Sequence, residues 1–186
     1  FDANQSNEAA TEQMIAYLQN AQVLMDEYDE NDILITSSDA ATVHRYANTI
    51  GAIFKNAFNK TSGSEITLLN QIIRDQKLER LKEFEIYAQA YASATEELKK
   101  NSVPVAFIES HLLLINTFNN LKRINYAFQN FDHDPAFALV NLTLYQRESD
   151  RFALFIQNTN TLLETAGILF TELEDGYVLN EYQSQL

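Results

Sequence analysis

The sequence predicts an all-α fold, an antiparallel bundle of about five helices in which the later helices are long. Two observations carry this prediction. The 186 residues include only four glycines and two prolines, and both prolines, Pro104 and Pro135, stand where a helix would begin. Apolar side chains also recur every three to four positions through most of the chain, which is the spacing of one helical face.

The first predicted helix runs from about Ser6 to Tyr28. An acidic run at residues 26–32 crowds negative charge at its C-terminal end, where the helix dipole disfavours it, so we expect a break there. A connection follows at about 29–38. Its apolar residues 33–35 are expected to tuck against the bundle.

Ser38 or Asp39 is expected to cap a second helix that ends near Asn59. After a break at 59–63, Ser64 should cap a third helix that continues to about Lys100. The middle of this long helix, residues 74–80, is polar. We therefore expect it to face solvent between two packed ends.

A fourth helix is predicted to begin at residues 102–104, because proline is tolerated in the first helical turn. Asp134 should cap a fifth helix, with Pro135 at its first position, that extends to about Phe170 and is roughly 50 Å long. Connections of a few residues between long helices favour antiparallel packing. The fourth helix's inner face is formed by Phe107, His111, Leu114, Phe118, Leu121, Asn125 and Phe128.

The chain shows no internal repeat and no low-complexity linker, so residues 1–173 are predicted to form a single helical-bundle domain. An Asp175-Gly176 turn signal marks the start of the remaining segment. Residues 174–186 are expected to form a C-terminal tail that is only partly ordered.

Composition excludes several functions. The 13 Lys and Arg residues against 26 Asp and Glu residues give a net charge of −13, which repels nucleic acid and anionic membrane surfaces. No apolar stretch approaches the roughly 20 residues that cross a bilayer, so we expect no direct membrane insertion by this segment. The absence of cysteine removes disulfides and thiolate chemistry. Abundant Asn, Gln, Thr and Tyr with few Lys favour an extracytoplasmic location.

No metal or cofactor site is predicted. The capping role of Asp134 explains the sequence Asp132-His133-Asp134, and nothing predicts that His44, His111 and His133 meet. Glu109 and His111 lack the Glu-x-x-His spacing of di-iron bundles. The acidic run at 26–32 lacks the glycine and the final Glu of a calcium loop. No phosphate loop or nucleophile motif occurs either, so no catalytic, cofactor-binding or metal-binding residue is assigned.

Aromatic residues are abundant, with 12 Phe and nine Tyr, and most lie on the apolar helical faces. At such positions aromatic rings usually fill a core. His111 and Asn125 are polar exceptions on the face of the fourth helix. We expect them to fix helix register through buried hydrogen bonds, with the lining of a small cavity as the alternative.

Two stretches resemble uncharacterised helical extracytoplasmic proteins of candidate-phyla (Patescibacteria-type) bacteria. The first is Tyr46-Ala47-Asn48-Thr49-Ile50-Gly51, and the second combines Val103-Pro104, His111-Leu112-Leu113-Leu114-Ile115-Asn116, Phe131, Asp134-Pro135, Ala138 and Tyr145-Gln146. The resemblance implies an exported or membrane-anchored protein, in which a helical region follows an N-terminal membrane segment. A missing anchor would fit Phe1 as first residue. The resemblance implies no catalytic residue.

Three functional hypotheses follow. The first is a non-catalytic extracytoplasmic bundle that serves as a structural or protein-interaction module in a cell-envelope assembly, with a protein partner or self-assembly and no cofactor. The alternative is a small-ligand-binding sensor domain of a membrane-anchored protein, with Tyr87, Tyr91, His111 and Asn125 around a cavity between helices. The third is a hydrolase or metalloenzyme that uses His111 or His133.

Overall fold

The computed structural model describes residues 26–183, and within them the all-α prediction is confirmed. Six helices and two short strands follow one another along this part of the chain. The helices are α1 (Ala40–Ala57), α2 (Glu65–Asp75), α3 (Phe84–Lys100), α4 (Ile108–Gln129), α5 (Pro135–Thr165) and α6 (Val178–Gln183), and the strands are β1 (Leu34–Thr36) and β2 (Ser102–Pro104). Short 3-10 turns cover Glu30–Asp32, Leu78–Glu83, Val105–Phe107 and Asp175–Tyr177.

Three of the predicted helix starts are confirmed by their caps. The side chains of Asp39, Ser64 and Asp134 accept hydrogen bonds from backbone N–H groups three residues later, at 3.0, 3.2 and 2.9 Å. Each of these bonds satisfies a donor that the first turn of a helix leaves free. Pro135 occupies the first position of α5, as expected.

The long third helix predicted from Ser64 to Lys100 is wrong. The helix ends at Asp75 because Gln76 adopts the left-handed conformation, with φ of 54°, and Lys77 N–H donates to the Ile72 carbonyl at 3.0 Å. This pattern closes a helix C-terminus. A 3-10 turn at Leu78–Glu83 then leads into α3. The polar middle of the predicted helix is therefore a corner between two helices.

The structure also corrects both segments that form the sheet. β1 pairs in parallel with β2, with Leu34 opposite Ser102 and Thr36 opposite Pro104. Residues 102–104 are therefore a strand, and α4 begins only at Ile108. In the first connection Ile33 is buried as expected, but the expectation is wrong for Leu34 and Ile35, which are 58% and 48% exposed.

Helix α4 is the centre of the bundle. It packs between α3 and α5, and buried residues occupy all sides of it. A helix surrounded by other elements needs no single apolar face, which explains why asparagines and threonines share its interior positions. Helix α5 has 31 residues and is about 46 Å long. It ends at Thr165, before Gly167, instead of near Phe170.

Two terminal segments of the described chain are fixed to this bundle. The predicted helix over residues 6–28 lies outside the described residues except for 26–28, which are not helical. These three residues are held to α4, because the Asn116 amide oxygen accepts from the N–H groups of Glu27 and Tyr28, both at 2.9 Å. Arg151 on α5 also pairs with Asp26 through two contacts of 2.8 Å.

The C-terminal segment, for which a partly ordered tail over residues 174–186 is predicted, is described as far as residue 183. Residues 175–183 form a 3-10 turn, which packs on α1, and α6, which packs on α5. Gly51 permits this close approach, since a Cβ atom there would lie 1.9 Å from the Asp175 carbonyl oxygen. Leu179 is fully buried, and its carbonyl accepts from Asn160 at 3.1 Å. Residues 184–186 lie outside the described residues.

No helix in the described part of the chain combines the length and the apolar character that a membrane-spanning helix requires.

Candidate functional site

An aromatic cavity of about 490 Å³ opens between the helices of the bundle. Its volume lies within the range of small-molecule binding sites in proteins. All six helices, together with the loop that precedes α2, contribute residues to its wall. The lining consists of Phe54, Phe58, Thr61, Gly63, Ser64, Glu65, Tyr87, Tyr91, Phe118, Leu121, Tyr145, Ser149, Phe152 and Tyr182.

Six of these rings form a continuous aromatic wall, which comprises Phe54, Phe58, Tyr91, Phe118, Phe152 and Tyr182. Phe118 is at its centre, with ring centroids 5.3 to 5.9 Å from four of the other five rings. Tyr182 closes one side, 5.5 Å from Phe152 and nearly perpendicular to it. These separations are typical of favourable aromatic pairs. The wall is therefore a packed surface with defined geometry.

Glu65 forms the polar end of the cavity. This residue is buried, with only 4% of its surface exposed. One carboxylate oxygen accepts from the Tyr91 hydroxyl at 2.8 Å and from the Asn125 amide at 3.4 Å. The other accepts from the Tyr145 hydroxyl at 3.0 Å. The Asn125 amide also donates to the Leu121 carbonyl at 2.9 Å, which fixes its NH₂ group toward Glu65. Three helices thus converge on one carboxylate.

The tyrosines of this cluster stay protonated over a wide pH range. Burial raises the pKa of Tyr91 and of Tyr145, and the negative charge of Glu65 raises both further. Tyr87 shows the same direction for the same two reasons. These hydroxyl groups therefore remain hydrogen-bond donors to the protein.

Local sequence spacing explains why these side chains meet. Ser64 caps α2, which places Glu65 at the first helical position, where the positive end of the helix dipole favours a carboxylate. Tyr87 and Tyr91 are four residues apart on α3, and so are Tyr145 and Ser149 on α5. Residues at that spacing lie on one side of a helix, so each helix presents a pair to the cavity.

The structure brings together three of the four residues named for the ligand-binding alternative. Tyr87 and Tyr91 line the cavity, and Asn125 contacts Glu65 behind it. His111 is not part of the cavity. It is fully buried, and its Nδ1 atom lies 3.2 Å from the Tyr46 hydroxyl. A register role for both polar residues remains compatible with these buried hydrogen bonds.

The other candidate residues are separated from this cavity. His44 on α1 lies 2.8 Å from Glu174, with the Phe170 ring against it at 5.1 Å. The His133 side chain is 80% exposed, 3.7 Å from Asp132. Among residues 26–183, no three His, Asp or Glu side chains gather in an arrangement that could hold a metal ion.

Sequence reasoning missed Glu65, Tyr145 and Ser149. An acidic residue immediately after a serine cap is common at helix starts, so Glu65 carried no distinguishing signal. The four-residue spacing of Tyr145 and Ser149 was a usable signal. It matches the spacing of Tyr87 and Tyr91, and together the two pairs indicate two helices with hydroxyl groups on their inner sides.

Comparison of the chain with protein-family models, curated proteins and solved structures gives no significant match.

Proposed function

We propose that this protein is a non-catalytic helical module that binds a small organic molecule in the aromatic cavity. The observation that carries the proposal is the convergence of six aromatic rings and one buried, hydrogen-bonded carboxylate around a space of about 490 Å³. Ligand sites in proteins combine an apolar lining with a few placed polar groups in this way. The proposal thus prefers the ligand-binding hypothesis to the hypothesis of a purely structural module.

The packing around the cavity supports this preference. Close packing leaves few voids larger than a water molecule inside ordinary protein cores. Side chains that line such a space have fewer apolar neighbours than side chains in a closely packed core. The rings of Phe58, Tyr91 and Phe152 are only partly buried, so solvent reaches them. A ligand that covers these rings would supply the missing apolar contacts.

A cavity-blocking variant tests the proposal. Ser149 lines the cavity, so Ser149→Trp should fill much of it, whereas Ser93→Trp places the same bulk on the exposed side of α3. A library of small aromatic and aliphatic compounds is screened by the shift in melting temperature. We expect compounds that raise the melting temperature of the native protein and of Ser93→Trp, because ligands that bind only the folded state stabilise it.

Ser149→Trp should lose most of that shift while it keeps its helical circular dichroism. Compounds that stabilise all three proteins equally would bind outside the cavity, and this would contradict the proposal. A screen without any stabilising compound would contradict it as well.

One observation favours the hypothesis of a protein-interaction module as a second candidate. Leu169 and Leu173, between α5 and the final 3-10 turn, are 83% and 96% exposed. Apolar side chains so exposed, in one short loop, are suited to contact a partner or a second copy. Light scattering of the native protein and of the Leu169→Ser, Leu173→Ser double variant tests self-assembly. If this loop mediates self-assembly, the double variant should form smaller particles than the native protein.

The extracytoplasmic location and the link to candidate-phyla envelope proteins remain predictions. The abundance of Asn, Gln, Thr and Tyr with few Lys, and the sequence resemblance, are what support them.

A further inference from the structure

Glu65 places a carboxylate in the bundle without a basic partner. Within residues 26–183, no Lys, Arg or His side chain forms an ion pair with it, and the cavity lining contains none of these residue types. The other strongly buried carboxylate, that of Glu148, is paired with Arg147 and Arg151. A buried charge is costly unless it is paired. Glu65 is therefore the exception in this bundle.

Four hydroxyl groups of the cavity lining provide a second observation about the ligand. The Thr61 hydroxyl donates to the Phe58 carbonyl at 2.8 Å, and the Tyr87 hydroxyl donates to the Ser62 carbonyl at 2.7 Å. Tyr91 and Tyr145 donate their protons to Glu65. These four hydroxyl groups have no second proton, so their free lone pairs can only accept. A ligand that brings hydrogen-bond donors matches this lining.

The aromatic wall adds an attraction for positive charge. The faces of Tyr and Phe rings carry negative electrostatic potential, and a cation held over them is stabilised, most strongly where water is excluded. Tyr91 links the two features, because its ring packs 5.0 Å from Phe58 and 5.3 Å from Phe118 while its hydroxyl contacts Glu65. The net charge of −13 further favours the approach of a cation.

We infer that the ligand of the aromatic cavity is an organic ammonium ion, with its N–H groups toward Glu65 and its apolar part against the aromatic wall. This inference rests on the proposed function and specifies the chemical class of its ligand. A primary ammonium has three donors and one positive charge, which complements the Glu65 carboxylate and the tyrosine oxygens beside it.

Matched pairs of compounds test the inference by isothermal titration calorimetry at pH 7. Each pair joins an amine to the alcohol of the same skeleton: phenethylamine with 2-phenylethanol, cyclohexylmethylamine with cyclohexylmethanol, and butylamine with butanol. We expect each amine to bind native protein at least about tenfold more tightly than its alcohol, given a charge contribution of the size seen for desolvated cation–π contacts.

Glu65→Gln should remove that preference, because the amide keeps the size of the side chain and loses its charge. Glu85→Gln, at an exposed position on α3, should retain it. If amine and alcohol bind the native protein equally and Ser149→Trp blocks both, the ammonium inference is overturned while the proposed function stands. If no member of any pair binds, both are overturned. The comparison on native protein holds even if Glu65→Gln does not fold.

Discussion

His111 shows how a single buried side chain makes the stability of this protein depend on pH. Burial lowers the pKa of His111 from 6.5 to about 4, although the carbonyl of Leu98 opposes the shift. Because the pKa of His111 is lower in the folded state, the unfolded chain binds a proton at this side chain at a higher pH than the folded protein does. Protons therefore favour unfolding between pH 6.5 and 4, and stability falls as the pH drops through that window.

We expect His111→Gln to remove this contribution. Relative to the variant, native protein should lose roughly 3 kcal/mol more free energy of unfolding between pH 7 and pH 4. Urea denaturation at a series of pH values measures the difference. His133→Gln is the control, since the His133 side chain is 80% exposed, and it should follow the native curve. Parallel pH curves for native protein and His111→Gln would show that His111 carries no such linkage.

Tyr87 and Tyr91 were predicted from the sequence as cavity residues, but Tyr145 and the Glu65 carboxylate that Tyr91 and Tyr145 contact were not. The spacing of Tyr87 and Tyr91 follows from helical periodicity, which a sequence displays directly. The role of Glu65 depends on Tyr145, 80 residues away, and on Asn125, 60 residues away. No local pattern in the sequence indicates a contact between residues so far apart along the chain. Glu65 therefore looked like an ordinary acidic residue in the first turn of a helix.

Among the elements, helix starts were predicted better than helix ends. Asp39, Ser64 and Asp134 are caps whose side chains bond the first turn, and this chemistry is visible in the sequence. The end of α2 is set by Gln76 in a left-handed conformation that glycine usually supplies. Glutamine does not indicate a helix end, so the sequence pattern predicted one continuous helix where the chain turns a corner.

The corner at Gln76 makes a prediction about stability. Gln76→Gly should raise the free energy of unfolding by about 0.5–1 kcal/mol, since glycine removes the steric cost of positive φ but gains freedom in the unfolded chain. Gln89→Gly makes the same exchange inside α3 and should lower the free energy of unfolding by roughly 0.5 kcal/mol. Guanidinium denaturation measures both. A loss of stability in Gln76→Gly would contradict the left-handed conformation.

The C-terminal segment depends on contact with α1 at Gly51. A Cβ atom at this position would lie 1.9 Å from the Asp175 carbonyl oxygen and 2.4 Å from the Asp175 carbonyl carbon, and neither backbone atom can yield without moving the segment. Gly51→Ala should therefore detach residues 174–183 from α1. Hydrogen exchange in that segment should rise, while exchange in α4 stays slow.

The control is Asn56→Ala, on the exposed side of α1, which should leave exchange in residues 174–183 unchanged. Tyr182 belongs to the aromatic wall, so Gly51→Ala should also weaken binding of phenethylamine. Slow exchange in both variants would mean that α6 does not rely on this contact.

In the molecule as a whole, fold class and central packing follow from sequence, but the cavity does not. The helical period and the scarcity of Gly and Pro predict a bundle, and the structure confirms it. The small parallel sheet joins residues 34–36 to 102–104, a pairing that no short-range pattern signals. The cavity draws on residues from Phe54 to Tyr182, so it exists only once all six helices are in place.

We propose the aromatic cavity as a ligand site with Glu65 at its polar end, and a crystal structure of the protein grown with phenethylamine is the decisive measurement. We expect density for the compound inside the cavity, with its nitrogen about 3 Å from a Glu65 carboxylate oxygen and its ring against Phe118. A cavity filled by the protein's own side chains, or phenethylamine bound only elsewhere on the surface, would contradict the claim.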